Sequence, residues 1–329
     1  MSPSEPEVNI IGYVYPFMFR DNSRTVLTRP RLWDAACFPC ATIDHNKMAE
    51  FHQIAGYDVL ATLGEGAHST IYSVRDRSGQ LLVLKRVVKD SPNQQRFIDQ
   101  ALREHDVASK IDHPRVRKSI KVIKQRSVIR VSEVLVLMEM VDGATLEQHR
   151  PTDLVEVCEI YRQAAEGLRA MHAAGYVHAD IKPNNIMVTE ADGVKLIDFG
   201  QSCKFNTIKE RIQGTPDYIA PEQVRREAIT AQTDVFNLGA TFYWVLTDQH
   251  VPTMIPKKQQ GVSLKTDDYK KGRPPIEINP EISPALSSLI MDSVERKLED
   301  RPHSMDAVLD RLDIALAQIK RSRATAASR

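Results

Sequence analysis

The sequence predicts an α+β fold with two lobes, a small antiparallel β lobe that contains one helix and a larger, mainly helical lobe. Between residues 57 and 140 the apolar residues mostly alternate or form short β-branched blocks, as in strands. One stretch inside this region, residues 93–111, has apolar residues at helical spacing. After Gly143 the pattern becomes helical. Apolar stripes occur in three later stretches: residues 154–174, 231–246 and 284–319.

The chain is expected to divide into an N-terminal extension, a main domain and a basic tail. Residues 1–56 show no clear periodicity and either pack on the main domain or form a regulatory arm. The main domain is expected over 57–315, with its lobes at 57–140 and 141–315, and the tail over 316–329.

The composition is that of a globular protein. A net charge of +1 gives no large single-sign field, which argues against nucleic-acid or membrane-surface binding. The four cysteines are too few for a disulfide scaffold, and the least charged stretch, residues 8–19, is too short to span a bilayer. We therefore expect a cytoplasmic protein without a membrane span.

Cys37 and Cys40 have the spacing of half a zinc site. His45 and His52 could complete a ligand set, but no second closely spaced pair follows. An unliganded turn is therefore the favoured interpretation.

A glycine-rich turn joins the first two long strands. Because it lies between two strands and not between a strand and a helix, it does not fit a dinucleotide site. Gly64 and Gly66 would let backbone N–H groups approach phosphate oxygens. Alone, the motif fits a tight hairpin equally well. The candidate phosphate-loop residues are Leu63, Gly64, Glu65, Gly66, Ala67, His68, Ser69 and Ile71.

Lys85 stands at the end of an otherwise apolar strand. A buried ammonium needs an anionic partner, and Glu104 on the following helix is the natural one. On its own, such a lysine is more often a surface residue, so Lys85 supports a functional site only together with the motifs that follow.

Four polar residues in the second lobe form a phosphoryl-transfer set. Asp180 would accept the proton of an attacking hydroxyl, and Lys182 would neutralise charge on the moving phosphoryl group. Asn185 and Asp198 would hold Mg²⁺. Their order and spacing, after the glycine loop and Lys85, carry the functional prediction.

Residues 57 to about 315 resemble a eukaryotic-type serine/threonine protein kinase domain. The run Ala220-Pro221-Glu222-Gln223 is familiar from its bacterial members. The resemblance implies a two-lobed kinase fold, ATP and Mg²⁺ as cofactors with Mn²⁺ as an alternative, and protein substrates. Lys182 and the run Gly214-Thr215-Pro216 indicate serine or threonine acceptors. Autophosphorylation through a transient homodimer is expected.

The roles given above for Asp180, Lys182, Asn185 and Asp198 are those that the resemblance implies, and it implies roles for further residues. Met138 is the expected gatekeeper, and the backbones of Glu139 and Val141 are expected to bind the adenine edge. Around the nucleotide, the expected contacts are Leu63, Ile71, Val83 and Met187 on the ring and Thr145 at the ribose. Elsewhere, Asp234 would support the catalytic loop, Arg301 would pair with Glu222, Thr215 would lie near Asp180, and His178 would brace Phe199.

Two residues depart from the family pattern. Ser69 replaces the third loop glycine, which is tolerated if the backbone there needs no positive φ. Ala179 replaces the arginine that in the family binds a phosphate on the activation segment. We therefore expect activity that does not depend on phosphorylation of Ser202 or Thr207. In the competing interpretation, cations such as Lys204 or Lys209 take over.

A basic run covers residues 115–130, with seven basic residues and no acidic one. The usual explanation is the solvated face of a β-hairpin, and the functional alternative is a docking surface for an acidic partner. Two other functions for the chain stay open: a nucleotide-binding scaffold that has lost phosphotransfer, and a small-metabolite kinase.

Overall fold

The computed structural model describes residues 52–66, 68–127, 130–252 and 272–327. The predictions for Ala67, for the pair Cys37 and Cys40, and for nearly all of the N-terminal extension lie outside these residues.

The first lobe is a six-stranded antiparallel sheet with one helix, α1, packed on it. The strand order is β1-β2-β3-β4-β6-β5. The elements are β1 (Gln53–Ile54), β2 (Tyr57–Gly66), β3 (Ser69–Arg75), β4 (Leu81–Val88), α1 (Gln95–Ala108), β5 (Ser119–Ser127) and β6 (Arg130–Glu139). The pairing of β1 with β2 extends the sheet to residue 53, before the predicted domain start at residue 57.

Strand β6 shows why this segment folds as a central strand. Its buried residues alternate between two apolar clusters, as the two-residue period of a strand requires. Val134, Val136 and Met138 join the cluster that includes Ile98 of α1, whereas Leu135 and Leu137 join the cluster on the opposite face. Each such side chain contributes about 1.5–3 kcal/mol by burial.

The second lobe is mainly helical. Its helices are α2 (Leu154–Ala173), α3 (Pro221–Arg225), α4 (Ala231–Thr247), α5 (Pro275–Ile278), α6 (Pro284–Ser293) and α7 (Met305–Ala327). Its short strands are β7 (Ala144–Thr145), β8 (Tyr176–Val177), β9 (Ile186–Thr189), β10 (Gly193–Leu196) and β11 (Cys203–Lys204). The predicted two-lobed α+β architecture is confirmed.

Helix α2 organises the helical core. Its N-cap is Asp153, whose carboxylate accepts the N–H groups of Val155 and Glu156 at 2.9 and 3.0 Å. Tyr161 of α2 stacks on Phe242 of α4 with ring centroids 4.3 Å apart, and both side chains are fully buried. This packing fixes the support on which the catalytic loop lies.

Helix α7 continues well beyond residue 316, the predicted start of a basic tail. Leu316 and Ile319 are buried in the helical core, and Lys320 lies 3.4 Å from Glu159 of α2. The predicted boundary therefore falls inside a helix, because the apolar stripe of α7 persists while its other face becomes basic. Within the described ranges, no helix has both the length and the apolar character needed to cross a membrane.

Candidate active site

The catalytic loop, residues 178–185, is hydrogen-bonded to the side chain of Asp234 of α4. This carboxylate is fully buried and accepts the backbone N–H groups of His178 and Ala179 at 2.9 and 2.8 Å. His172 Nε2 lies 2.8 Å from the same side chain. Ala179 has φ of 60°, a left-handed conformation that costs about 1–3 kcal/mol and persists only when its surroundings fix it. Asp234 supplies that constraint.

The Asp180 carboxylate has one polar neighbour from outside its loop, Thr215, and one from within it, Lys182. Thr215 Oγ1 donates to Asp180 Oδ1 at 3.0 Å, and Lys182 Nζ lies 3.6 Å from Oδ2. The Asp180 and Lys182 side chains are both buried, and Lys182 lines the cleft between the lobes. A carboxylate and an ammonium thus lie together beside the cleft.

His178 braces the loop in one tautomer. Its Nδ1 accepts the N–H of Asp180 at 3.3 Å, so Nε2 carries the proton and donates to the Ile197 carbonyl oxygen at 3.2 Å. The ring meets Phe199 edge-on, with centroids 5.4 Å apart. Because both ring nitrogens are engaged, this histidine has no free nitrogen to act as a base.

Asn185 and Asp198 form an oxygen-donor pair beside Asp180. Asn185 Nδ2 donates to the Asp180 carbonyl oxygen at 2.8 Å, which leaves Oδ1 as its ligand atom. Burial by itself would raise the pKa of Asp198, but Lys85 and Lys182 hold it below its ordinary value, so the carboxylate stays ionised. One carboxylate with one amide oxygen suits Mg²⁺, which normally completes its shell with phosphate and water.

Lys85 and Glu104 form the ion pair that the sequence suggested. Lys85 Nζ lies 2.7 Å from Glu104 Oε2, and both side chains are buried. The second carboxylate oxygen, Oε1, lies 3.2 Å from Arg117 Nη2. The pair joins strand β4 to helix α1 in the closed arrangement that phosphoryl transfer needs.

The cleft contains two adjoining cavities. The larger, about 250 Å³, is mainly apolar, and the smaller, about 30 Å³, is polar. Of the predicted nucleotide contacts, the larger is lined by Leu63, Ile71, Val83, Val141, Thr145 and Met187. The smaller is lined by Lys85, Glu104, Lys182, Asn185 and Asp198 among others. An apolar slot that opens onto a charged recess fits a nucleotide base with its phosphates and metal.

Met138 and Glu139 lie at the end of β6, beside the larger cavity and outside its lining. Met138 is buried in the sheet cluster. The Glu139 N–H donates to the Lys118 carbonyl oxygen at 3.0 Å, and its carboxylate lies 2.6 Å from Lys195 Nζ. Any contact from the Glu139 backbone to adenine therefore has to use its carbonyl oxygen.

The glycine-rich turn is the end of the β2–β3 hairpin. Gly64 pairs with Ile71 and Gly66 with Ser69, while Glu65 is exposed. Ser69 begins β3 and is absent from the positive-φ residues of the described chain, so its side chain causes no backbone strain. The His68 ring packs on Phe97 of α1, with centroids 4.3 Å apart, which links the turn to the helix that carries Glu104.

Ala179 lies in an apolar cluster. It is fully buried with Val177 and Ile229, and Cys203 and Phe205 pack against them; we call these residues the Ala179 cluster. Strand β11, which begins the activation segment, pairs with β8 at the same place. The residue before Asp180 thus packs in apolar surroundings, at the position where the resemblance leads one to expect an arginine.

The two candidate phosphorylation sites differ in access. Ser202 is 2% exposed, and its hydroxyl donates to the His178 carbonyl oxygen at 3.3 Å. Thr207 is half-buried and donates to the Lys204 carbonyl oxygen at 2.7 Å. Thr207 also lines a cleft of about 410 Å³, the basic cleft, whose cationic side chains are Arg96, Arg103, Lys209 and Arg211. Two acidic side chains, Asp99 and Glu210, line it as well.

Two buried side chains at the end of the activation segment, Glu222 and Gln223, have hydrogen-bond partners for their polar atoms. Glu222 receives both terminal nitrogens of Arg301 at 2.9 Å each. Gln223 donates to the Ala179 carbonyl oxygen at 2.8 Å, and its own oxygen accepts the Ala220 N–H at 2.9 Å. The predicted pair is thus formed, and Gln223 adds a link to the catalytic loop that the sequence did not suggest.

Sequence reasoning missed Arg117 and Lys195. Arg117 was part of the basic run interpreted as a solvated hairpin face, and this interpretation is wrong for Arg117, whose side chain is only 12% exposed. It holds for Lys121, Lys124 and Arg126, which are exposed on β5. Arg117 lies before the start of β5, so the alternation of side chains along that strand could not predict whether Arg117 faces solvent or the interior.

Comparison with known proteins agrees with this geometry. The protein kinase domain family matches residues 57–311. A probable serine/threonine-protein kinase of Streptomyces coelicolor is 28% identical over 279 residues, which cover 81% of this chain and 41% of that protein. Serine/threonine-protein kinase pkn3 of Myxococcus xanthus is 29% identical over 272 residues, 76% of this chain and 48% of the relative. For serine/threonine-protein kinase PknB of Mycobacterium leprae the identity is 29% over 261 residues, 74% and 40% of the two chains.

The chain spans less than half the length of these relatives. The family match covers most of the chain and includes both cavities and the activation segment. This chain therefore belongs to the protein kinase domain family and resembles its bacterial serine/threonine members.

Proposed function

We propose that this chain is an active serine/threonine protein kinase that transfers the γ-phosphoryl group of Mg-ATP to hydroxyl groups of proteins. The observation that carries the proposal is the buried Lys85–Glu104 pair, closed at 2.7 Å above a recess that also contains Asp198. Stability alone gives little reason for this choice of residues, because well-packed apolar side chains of similar volume often stabilise a buried site as well as an ion pair does.

The nucleotide would lie across the two cavities. The apolar walls of the larger cavity would hold the adenine ring, with the Glu139 carbonyl oxygen and the Val141 N–H on its polar edge. Lys85 would bind the inner phosphates, and Asn185 and Asp198 would hold Mg²⁺, or Mn²⁺ in its place. The bound metal would offset charge on the phosphates and keep the transferred group in line with its acceptor.

The protein's part in the transfer would fall to the catalytic loop. Asp180 would accept a hydrogen bond from the acceptor hydroxyl and orient its oxygen. It would take the proton as the bond from this oxygen to the γ-phosphorus forms and the bond from the γ-phosphorus to the bridging oxygen of ADP breaks. Thr215, which donates to Asp180 Oδ1, would keep the carboxylate turned toward the acceptor. Lys182 would neutralise negative charge beside it.

One experiment tests this proposal against both alternatives. The purified chain is incubated with labelled ATP and Mg²⁺, with and without a generic protein acceptor, beside Asp180→Asn and the matched control Asp192→Asn, an exposed loop residue. We expect label in protein with the wild type and the control, and a loss of about 10²–10⁴-fold with Asp180→Asn. A wild type that labels no protein, itself included, would refute the proposal. Transfer only to small metabolites would favour the metabolite kinase.

We also propose that activity does not require phosphorylation of the activation segment. The Ala179 cluster supports this, because it orders the start of the segment by apolar packing, and Ser202 is buried against the catalytic loop. We expect Ser202→Ala with Thr207→Ala to keep activity within about tenfold of the wild type. The basic cleft favours the competing idea that a phosphate on Thr207 is bound. In that case Thr207→Ala and Arg103→Met would each cause a larger loss, and the two losses would not add.

Autophosphorylation, a transient homodimer and a cytoplasmic location complete the proposal. A hydroxyl of one copy would have to reach Asp180 of another, so label should pass from an active chain to an inactive one. Mixing the wild type with a size-tagged Asp180→Asn chain tests this. Label confined to the wild type would contradict transfer between copies.

A further inference from the structure

Arg117 contacts the candidate active site although it lies outside the kinase motifs identified in the sequence. Its backbone N–H donates to the Leu196 carbonyl oxygen at 3.0 Å, and the preceding Val116 forms a β-bridge with Leu196. Leu196 lies two residues before Asp198. The Arg117 backbone is therefore anchored to the strand that leads to the metal site, and its side chain lines both cavities of the cleft.

The guanidinium group of Arg117 meets the helix glutamate. Glu104 is fully buried, and a buried carboxylate is unstable unless both of its oxygens are satisfied. Lys85 lies 2.7 Å from Oε2, and Arg117 lies 3.2 Å from Oε1. Helix α1 is thus held by two cations, one from β4 and one from the segment anchored beside the metal site.

The two cations would have different tasks once a nucleotide binds. The Lys85 ammonium group would interact with the phosphates as well as with Glu104, and its attraction to Glu104 would become weaker. Arg117 has a rigid, permanently charged group and sits on the far oxygen of Glu104. It could keep the carboxylate neutralised while Lys85 turns toward the phosphates.

We propose that Arg117 is a positioning residue for phosphoryl transfer, which holds Glu104 and helix α1 in place so that Lys85 stays aligned. The proposal rests on the proposed kinase function. It also supplies an ordering contact for α1 that is independent of covalent modification, in a chain whose catalytic loop has Ala179 where a phosphate-binding arginine is usual.

Three variants test the role in the full chain: Arg117→Met, which removes the charge, Arg117→Lys, which keeps it, and the control Lys121→Met, an exposed residue of the same basic run. We expect Arg117→Met to lower kcat/KM for ATP by about tenfold to a hundredfold, the loss that corresponds to one charge-assisted hydrogen bond. The loss should fall mainly on kcat, Arg117→Lys should recover most of it, and the control should match the wild type.

A double-mutant cycle separates positioning from simple stability. If Arg117 acts through Glu104, then Arg117→Met should add little to the loss already caused by Glu104→Gln. Fully additive losses, a rise in KM with unchanged kcat, or no recovery with Arg117→Lys would each overturn the proposal.

Hydrogen exchange provides a readout that does not need activity. In Arg117→Met, at a temperature where the chain stays folded, the amides of α1 should exchange faster than in the wild type while those of α4 should not change. Should the wild type prove inactive, the kinase proposal fails, yet this measurement still decides whether Arg117 holds α1. Unchanged α1 exchange would overturn the structural part of the inference.

Discussion

Arg301→Met should be among the most destabilising single substitutions in the helical lobe. The guanidinium group and the carboxylate of Glu222 are 0% and 2% exposed, and two parallel bonds of 2.9 Å join them. Arg301 Nε also donates to the Glu295 carbonyl oxygen at 2.6 Å, and the group lies 4.9 Å from the centre of the Phe236 ring. Methionine fills much of the space but leaves Glu222 without its buried cation.

The expected cost follows from the burial. Removing one partner of a buried ion pair costs about 3–5 kcal/mol, because the remaining charge is left without compensation. At about 2–4 °C per kcal/mol for a domain of this size, the melting temperature should fall by about 6–20 °C. Adding Glu222→Gln should recover part of the loss, since it removes the uncompensated charge.

The matched control is Arg311→Met. Arg311 lies 2.6 Å from Asp292, but these side chains are 35% and 38% exposed, so the pair should contribute about 0.2–1 kcal/mol. Urea denaturation followed by circular dichroism would give both free energies of unfolding. Equal losses in the two variants, or a further loss on adding Glu222→Gln, would refute the reasoning from burial.

Three further substitutions test other parts of the structure. Asp234→Asn should lower kcat more than about tenfold with little change in KM for ATP, because one of the two oxygens that accept the loop's N–H groups becomes an NH₂ donor; unchanged kcat would contradict this. Gly143→Ala should raise KM for ATP, since a Cβ would collide with the Val188 carbonyl oxygen beside the larger cavity; an unchanged KM would count against it. Burial lowers the pKa of His105, so the unfolded chain protonates first and stability should fall below about pH 6.5. Urea titrations should show a smaller fall in His105→Gln, and an identical fall would exclude this histidine as the cause.

The proximity of the candidate catalytic residues could be predicted because the proposed chemistry fixes residue types at short spacings. Asp180, Lys182 and Asn185 belong to one loop, and Asp198 follows a single short hairpin, so the chain itself brings them together. The alternation of buried residues between the two faces of β6 could be predicted for the same reason, because it depends only on neighbouring residues. Such features need no knowledge of how distant segments pack.

Arg117 could not be predicted for the opposite reason. In sequence it is one cation in a basic run, and hydrophilic runs are normally solvated. Its burial depends on the bridge between Val116 and Leu196, which joins segments far apart in the chain. The surroundings of Ala179 are similar, because the substitution is visible in sequence while its contact with Ile229 is not.

These two features bear on the same physical requirement. Phosphoryl transfer needs helix α1 and the activation segment to be ordered together, and a phosphate that binds several cations is one way to offset the entropy of ordering them. Here the segment begins in an apolar cluster around Ala179, and α1 is held through Glu104 by both Lys85 and Arg117. Neither contact changes with covalent modification. An arginine in place of Ala179 would enter a fully buried apolar site, where a guanidinium costs several kcal/mol without a partner, so restoring the usual residue would not by itself restore a switch.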